Sequence, residues 1–194
     1  MPIPAPKDRY TYGDYVSWPD DERWELIDGV PFNMTPAPSR LHQDICMELS
    51  RQISNHLLDS PCRVYAAPFD VRFPQRDEAD HDVTTVVQPD IVVVCDPARL
   101  DAKGCRGAPD VVIEVVSPTT LWKDLGEKLA LYERHAVQEY WIVHPEEQYV
   151  MVFLLQPDGK YGRHELYTKN QKPSFAAIAG LSIDLERVFS SSHA

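Results

Sequence analysis

Two acids and a lysine stand out by their surroundings. Glu114 sits inside Val111-Val112-Ile113-Glu114-Val115-Val116, among five β-branched residues. Such a run predicts a strand buried on both faces. A charged carboxylate there is costly unless a cation or a metal pairs with it. Asp90 opens a second apolar run, Pro89-Asp90-Ile91-Val92-Val93-Val94, and Lys128 lies in the helical pattern that follows Glu114. Two acids from apolar strands with a lysine nearby are the parts that a magnesium-dependent phosphodiesterase needs.

Strand alternation puts Asp110, Val112, Glu114 and Val116 on one face, and Asp90, Val92 and Val94 on one face of the other strand. If the strands are neighbours, Asp90 and Glu114 can point the same way. Converging carboxylates repel, and desolvation adds to the cost. A hard cation removes both penalties: Mg2+, with Mn2+ as a substitute, takes a few carboxylate oxygens plus waters and lets phosphate complete its shell. The bland alternative for Glu114 is a buried acid paired with an arginine or with backbone N–H groups. For Asp90 it is a turn acid after proline.

Lys128 is placed by helix arithmetic. At 100° per residue it flanks the stripe Leu125, Leu129, Tyr132 and Ala136, while Lys123 and Glu127 point away. From that flank it can reach over the sheet edge to stabilise charge on a phosphoryl group or to orient the water. The alternative is a snorkelling surface lysine. As a flank residue, its loss is expected to leave the melting temperature nearly unchanged.

The elements that must position these residues follow from pattern. Trp24–Ile27 and Val30–Met34 around Asp28-Gly29 predict a hairpin. A helix is expected over about Arg40–Leu58, with the stripe Leu41, Ile45, Leu49, Ile53 and Leu57. Arg63–Phe73 reads as a strand that Pro68 makes irregular or confines to an edge. Strands at about Asp90–Cys95 and Val111–Val116 follow. Ser117-Pro118-Thr119-Thr120 can cap a helix over about Leu121–His135. A core strand at Glu139–Val143 and a hairpin, Gln148–Leu155 with Tyr161–Tyr167, complete the series. The strand–helix–strand step over 111–143 favours parallel pairing. The whole is α/β with a mixed sheet.

The 194 residues make one domain, 23–194, preceded by a Pro-, Asp- and Tyr-rich extension, 1–22, expected to wrap the surface. No apolar run is long enough to cross a bilayer, about 20 residues, so no membrane partner is expected. The N-terminus does not read as a secretory signal, which gives a cytoplasmic expectation. Cys46, Cys62, Cys95 and Cys105 show no CxxC spacing, so they are expected to be reduced thiols without zinc. The net charge of −11 opposes a nucleic-acid partner, although a local basic patch or a second subunit can still supply a surface.

Other residues invite smaller assignments. His42 could act as a proton relay beside the metal, or merely cap its helix. Glu48 is a candidate supporting acid. Asp110 fits turn chemistry, and Asp70 a loop or strand. Tyr140 and Trp141 belong in the core, and the Lys103–Gly107 loop is expected to be solvated.

Taken together, several segments resemble the Uma-type "putative restriction endonuclease" family of bacteria, in the PD-(D/E)xK nuclease superfamily. They are Gln88–Val94, Ala108–Thr119, Lys128-Leu129-Ala130-Leu131-Tyr132 and Val137–Val143, with Glu25-Leu26-Ile27-Asp28-Gly29 and His42-Gln43. The likeness runs over about residues 22–189. It implies a restriction endonuclease-like core with a mixed central β-sheet flanked by helices, and N- and C-terminal β-hairpins. It also implies a metal-dependent phosphodiesterase site. The motif acids fall on Asp90 and Glu114. The motif lysine would fall at 116, where this chain has Val116, so the resemblance implies that the following helix carries it as Lys128. The expected protein is a cytoplasmic, Mg2+-dependent endodeoxyribonuclease acting on DNA, and a homodimer, since two symmetric sites cut two strands. The alternatives are a catalytically inactive nuclease-fold binding protein and a nuclease acting on RNA.

Overall fold

The computed structural model describes residues 7–19, 22–34, 37–117 and 121–190. In chain order its strands are β1 (Trp24–Ile27), β2 (Val30–Asn33), β3 (Arg63–Ala66), β4 (Val71–Arg72), β5 (Val86–Val87), β6 (Ile91–Val94), β7 (Leu100–Asp101), β8 (Gly104–Arg106), β9 (Val111–Val115), β10 (Glu139–His144), β11 (Tyr149–Leu154) and β12 (Glu165–Thr168). They form two mixed sheets, ordered β2-β1-β5-β4-β8-β7 and β12-β11-β10-β9-β6-β3. Helices α1 (Tyr12–Tyr15), α2 (Arg40–His56), α3 and α4 (Leu185–Ser190) flank them, α3 being a compound helix over 121–134.

The second sheet is the frame of the site. β9 lies at its centre, parallel to β10 and antiparallel to β6. Its residues are buried on both faces, as the β-branched run requires. Ile91, Val93, Val111, Ile113 and Val115 meet Ile45, Leu49 and Ile53 of α2 on one face. On the other, Val92, Val94, Val112 and Val116 meet Leu131 and Tyr132 of α3. The predicted stripe therefore packs α2 onto the sheet, and Ser39 starts the helix by accepting from His42 N.

Three expectations are corrected. Arg63–Phe73 is not one strand: it divides at Pro68 into β3 and β4, which join different sheets. The N-terminal stretch does not simply wrap the surface. Tyr10 and Tyr12 are buried with Leu26, Val83 and Val86 in a small core of their own. Finally, two of the four cysteines are not thiols: Cys62 and Cys95 form a disulfide. Arg63 pairs with Val94, so the register sets Cys62 and Cys95 opposite each other at the ladder's end. That proximity is a product of pairing across a separation of 33 residues, which no local spacing reveals. Closing such a loop stabilises by about 2–4 kcal/mol. Reducing agent should therefore lower the urea midpoint of the wild type and leave a Cys62→Ser, Cys95→Ser protein unmoved.

Gly104 shows how tightly the first sheet is drawn together. Its φ of 125° is open to few other residues, and a Cβ there would run into the Asp70 carbonyl oxygen. That oxygen also accepts from Cys105 N at 2.9 Å, tying β8 to the Asp70 turn. Gly104→Ala should cost about 1–3 kcal/mol, measurable by chemical denaturation.

Candidate active site

Asp90 precedes β6. Ile91 pairs with Ile113, so the same register carried one residue further sets Asp90 opposite Glu114. Asp90 Oδ2 accepts from Val115 N at 2.8 Å and lies 3.1 Å from His42 Nε2. The two strands therefore bring both acids to one end of the sheet. His42 does not cap the helix: its N–H donates to the cap, Ser39, while its ring reaches Asp90.

Lys128 arrives from α3, whose geometry the sequence misjudged. The helix is α-helical at Leu121–Lys123, makes a π-helical turn over Asp124–Lys128, and resumes at Leu129–Arg134. A π turn bonds residue i to i+5 and is wider than an α turn, which shifts the helix faces, and Lys123 and Lys128 both reach Glu25. Counting 100° per residue puts Lys123 outside and Leu125 inside; instead Lys123 Nζ lies 2.7 Å from Glu25 Oε2, and Leu125 is exposed. The proposed cap at Ser117-Pro118-Thr119-Thr120 falls largely on residues 118–120, outside the described residues.

Lys128 is not a flank residue. It is buried, with Nζ 2.8 Å from both Glu114 Oε1 and Glu25 Oε1, and 3.9 Å from Asp124 Oδ1. Tyr132 OH donates to the same Glu114 oxygen at 2.8 Å. Removing Lys128 would leave several buried acids uncompensated, so the expectation of an unchanged melting temperature is withdrawn.

Glu25, Lys123, Asp124 and Tyr132 are neighbours of the acid pair that sequence reasoning left without a role. Glu25 carried a signal: an acid between apolar residues in a strand, the same signature as Glu114. Its carboxylate accepts from Gln88 N at 3.1 Å, two residues before Asp90. Gln88 in turn donates to Asp70, which also accepts from Tyr15 OH, each at 2.9 Å. Asp70 thus braces the Gln88-Pro89-Asp90 turn from outside. Asp110 accepts from Cys95 N at 2.7 Å, a bond across the end of the β6–β9 ladder and not within a turn. Glu48 bonds to Arg51 and Gln52, away from the acids. Lys103 pairs with Asp80, and Tyr140 and Trp141 are core.

Glu25, Glu114 and Asp124 share the two ammonium groups of Lys123 and Lys128, with Asp90 close by. Burial opposes ionisation of Glu25, but Lys128 and Lys123 outweigh it and hold the acid down at about 2. Burial pushes Glu114 up to about 8; Lys128 counters this, while Asp124, Asp90 and Glu25 reinforce it. Asp124 rises to about 6, first through burial. With more acids than ammonium groups, the cluster disfavours full ionisation and favours a bound proton. A divalent cation can replace that proton.

The fold, two mixed sheets flanked by helices, is shared with a solved structure. The chain aligns with a crystal structure described as a putative nuclease belonging to DUF820 from Anabaena variabilis, with a TM-score of 0.71 and 22% identity over 93% of this chain and 97% of that one. The family follows from the sequence: the Uma2 model, described as "Putative restriction endonuclease", matches residues 12–186, and the chain belongs to that family. It is also 26% identical over 160 residues to an uncharacterized protein of Synechocystis, slr1290, spanning 81% of this chain and 80% of that protein. Among the described residues no helix is long and apolar enough to cross a membrane.

Proposed function

We propose that this protein is a metal-dependent endonuclease that hydrolyses DNA phosphodiester bonds, with Asp90 and Glu114 as ligands of Mg2+ or Mn2+ and Lys128 as the site lysine. The observation that carries the reading is the 2.8 Å contact of Lys128 with Glu114 beside Asp90. A helix lysine supplies there what Val116 cannot.

The residues suit a hard cation. No hydrogen bond from a described residue falls on Asp90 Oδ1 or Glu114 Oε2. Both donor atoms are carboxylate oxygens, the chemistry Mg2+ prefers. When bound, such an ion polarises the phosphoryl oxygen and lowers the pKa of the attacking water. Lys128 and Tyr132 fix Glu114 through Oε1, which leaves Oε2 to face the ion. The Lys128 ammonium adds positive potential where the phosphoryl group gains negative charge. Glu25 anchors that ammonium, acting on the reaction only through it. His42, with Nε2 3.1 Å from Asp90 Oδ2, would hold that carboxylate in position. A two-fold dimer would set two such sites on the two strands of a duplex.

The test is incubation of plasmid DNA, single-stranded DNA and RNA with wild type in Mg2+, Mn2+, Ca2+ or chelator. The reading expects DNA cleavage with Mg2+ or Mn2+ and none in chelator. Cleavage of RNA alone would change the substrate. No cleavage of any substrate would favour the non-catalytic binding protein, the reading supported by Val116 and the charge of −11.

A further inference from the structure

His42 and Cys46 lie one turn apart on α2, so both side chains project from one face. The same spacing places paired ligands in helical zinc motifs. Cys46 Sγ is 3.5 Å from His42 Nδ1, and Asp90 approaches the ring from its other side. One ligand atom from each of the three lies within 4.8 Å of the others. The Cys46 contact is to Nδ1 and the Asp90 contact to Nε2; an ion takes one ring nitrogen, so the three donors must close from within 4.8 Å to the roughly 3.5 Å that separates tetrahedral ligands. A cavity of 70 Å³ opens beside them, lined also by Arg23, Ala66 and Ala67. That is room for an ion and a coordinated water.

We infer that His42, Cys46 and Asp90 form a binding site for a zinc-class divalent cation. It is distinct in donor set from the two-carboxylate site and shares Asp90 with it. Thiolate and imidazole select Zn2+ or Co2+ over Mg2+. On coordination the Cys46 thiol proton leaves to solvent and Sγ becomes the ligand. The site needs no disulfide chemistry, since Cys46 is a free cysteine. A nucleophilic role for the same thiol is disfavoured. Burial, then the charges of Asp90 and Glu114, push the thiol well above its ordinary value, the opposite of an activated cysteine. Because Asp90 is common to both donor sets, zinc and magnesium bind competitively.

The inference stands on geometry and does not require the nuclease reading. It is tested by titrating Co2+ into the full chain and recording the thiolate-to-cobalt charge-transfer absorption, with Zn2+ affinity measured against a chromophoric chelator. The expected result is one Co2+ per chain with that absorption, displaced by Zn2+. Cys46→Ser should abolish the absorption, and both Cys46→Ser and His42→Ala should weaken Zn2+ by at least about a hundredfold. Glu114→Gln should keep the absorption, so this site can fail or survive independently of the two-carboxylate site. His42 lies part-buried in the first turn of α2, and melting without metal checks that each variant is folded. Absence of the absorption in wild type, or its persistence in Cys46→Ser through the other free cysteine, Cys105, would overturn the inference.

Discussion

A Glu114→Gln protein is expected to lose at least about a hundredfold in DNA cleavage while unfolding at the wild-type temperature in chelator at neutral pH. The two halves have one cause. Glu114 is pushed up to about 8, first by burial, so near neutrality its protonated form is favoured. Gln mimics that form and keeps an oxygen for Lys128 and Tyr132. It cannot become the carboxylate that a cation requires. Mg2+ or Mn2+ should therefore raise the melting temperature of wild type by mass action and leave the mutant where it was. The pH dependence follows from the direction of the shift. The folded state holds the Glu114 proton more tightly than the unfolded state, so this group's contribution declines as pH rises from its ordinary 4.5 towards 8. That decline should be present in metal-free wild type and absent from Glu114→Gln. A large loss of stability in the mutant in chelator would assign Glu114 a structural role.

Glu25→Gln should be strongly destabilising, costing about 3–5 kcal/mol in urea denaturation at pH 7. Glu25 is almost wholly buried and neutralises both Lys123 and Lys128. Burial works against its charge, yet the two ammonium groups hold its pKa at about 2. Its contribution is therefore complete above the ordinary carboxylate range and is lost as pH falls through about 2. The gap between mutant and wild type should narrow on acidification over that window. A Glu25→Gln protein as stable as wild type at pH 7 would mean that the ammonium groups find other partners.

Much of the frame was legible because it rests on local pattern. Five β-branched residues around Glu114 can only be buried on both faces, and α2 repeats its apolar residues one turn apart. The crossover between β9 and β10 obeyed the usual parallel pairing, and the two acids follow from strand alternation. What escaped depends on register or on a change of helical pitch. Cys62 and Cys95 meet only because β3 pairs with β6 in one register. Lys123 and Leu125 exchanged places because α3 widens into a π turn at Asp124–Lys128, and a π turn has no simple sequence signature. Lys128 was found, yet its burial was not, since that depends on Glu25 arriving from the other sheet. His42 and Cys46 show a turn's spacing, but Asp90 joins them only in the fold.

The central claim is that Asp90 and Glu114 together hold the ion that supports phosphodiester hydrolysis. It is tested most directly by plasmid nicking across a Mg2+ titration with wild type and Asp90→Asn at matched concentration. Asn keeps an oxygen for Val115 N, so the turn should remain intact. The account predicts Mg2+-dependent nicking by wild type, and a loss of at least about a hundredfold in Asp90→Asn that added Mg2+ does not restore. Equal nicking by the two proteins, or nicking by wild type in chelator, would contradict it.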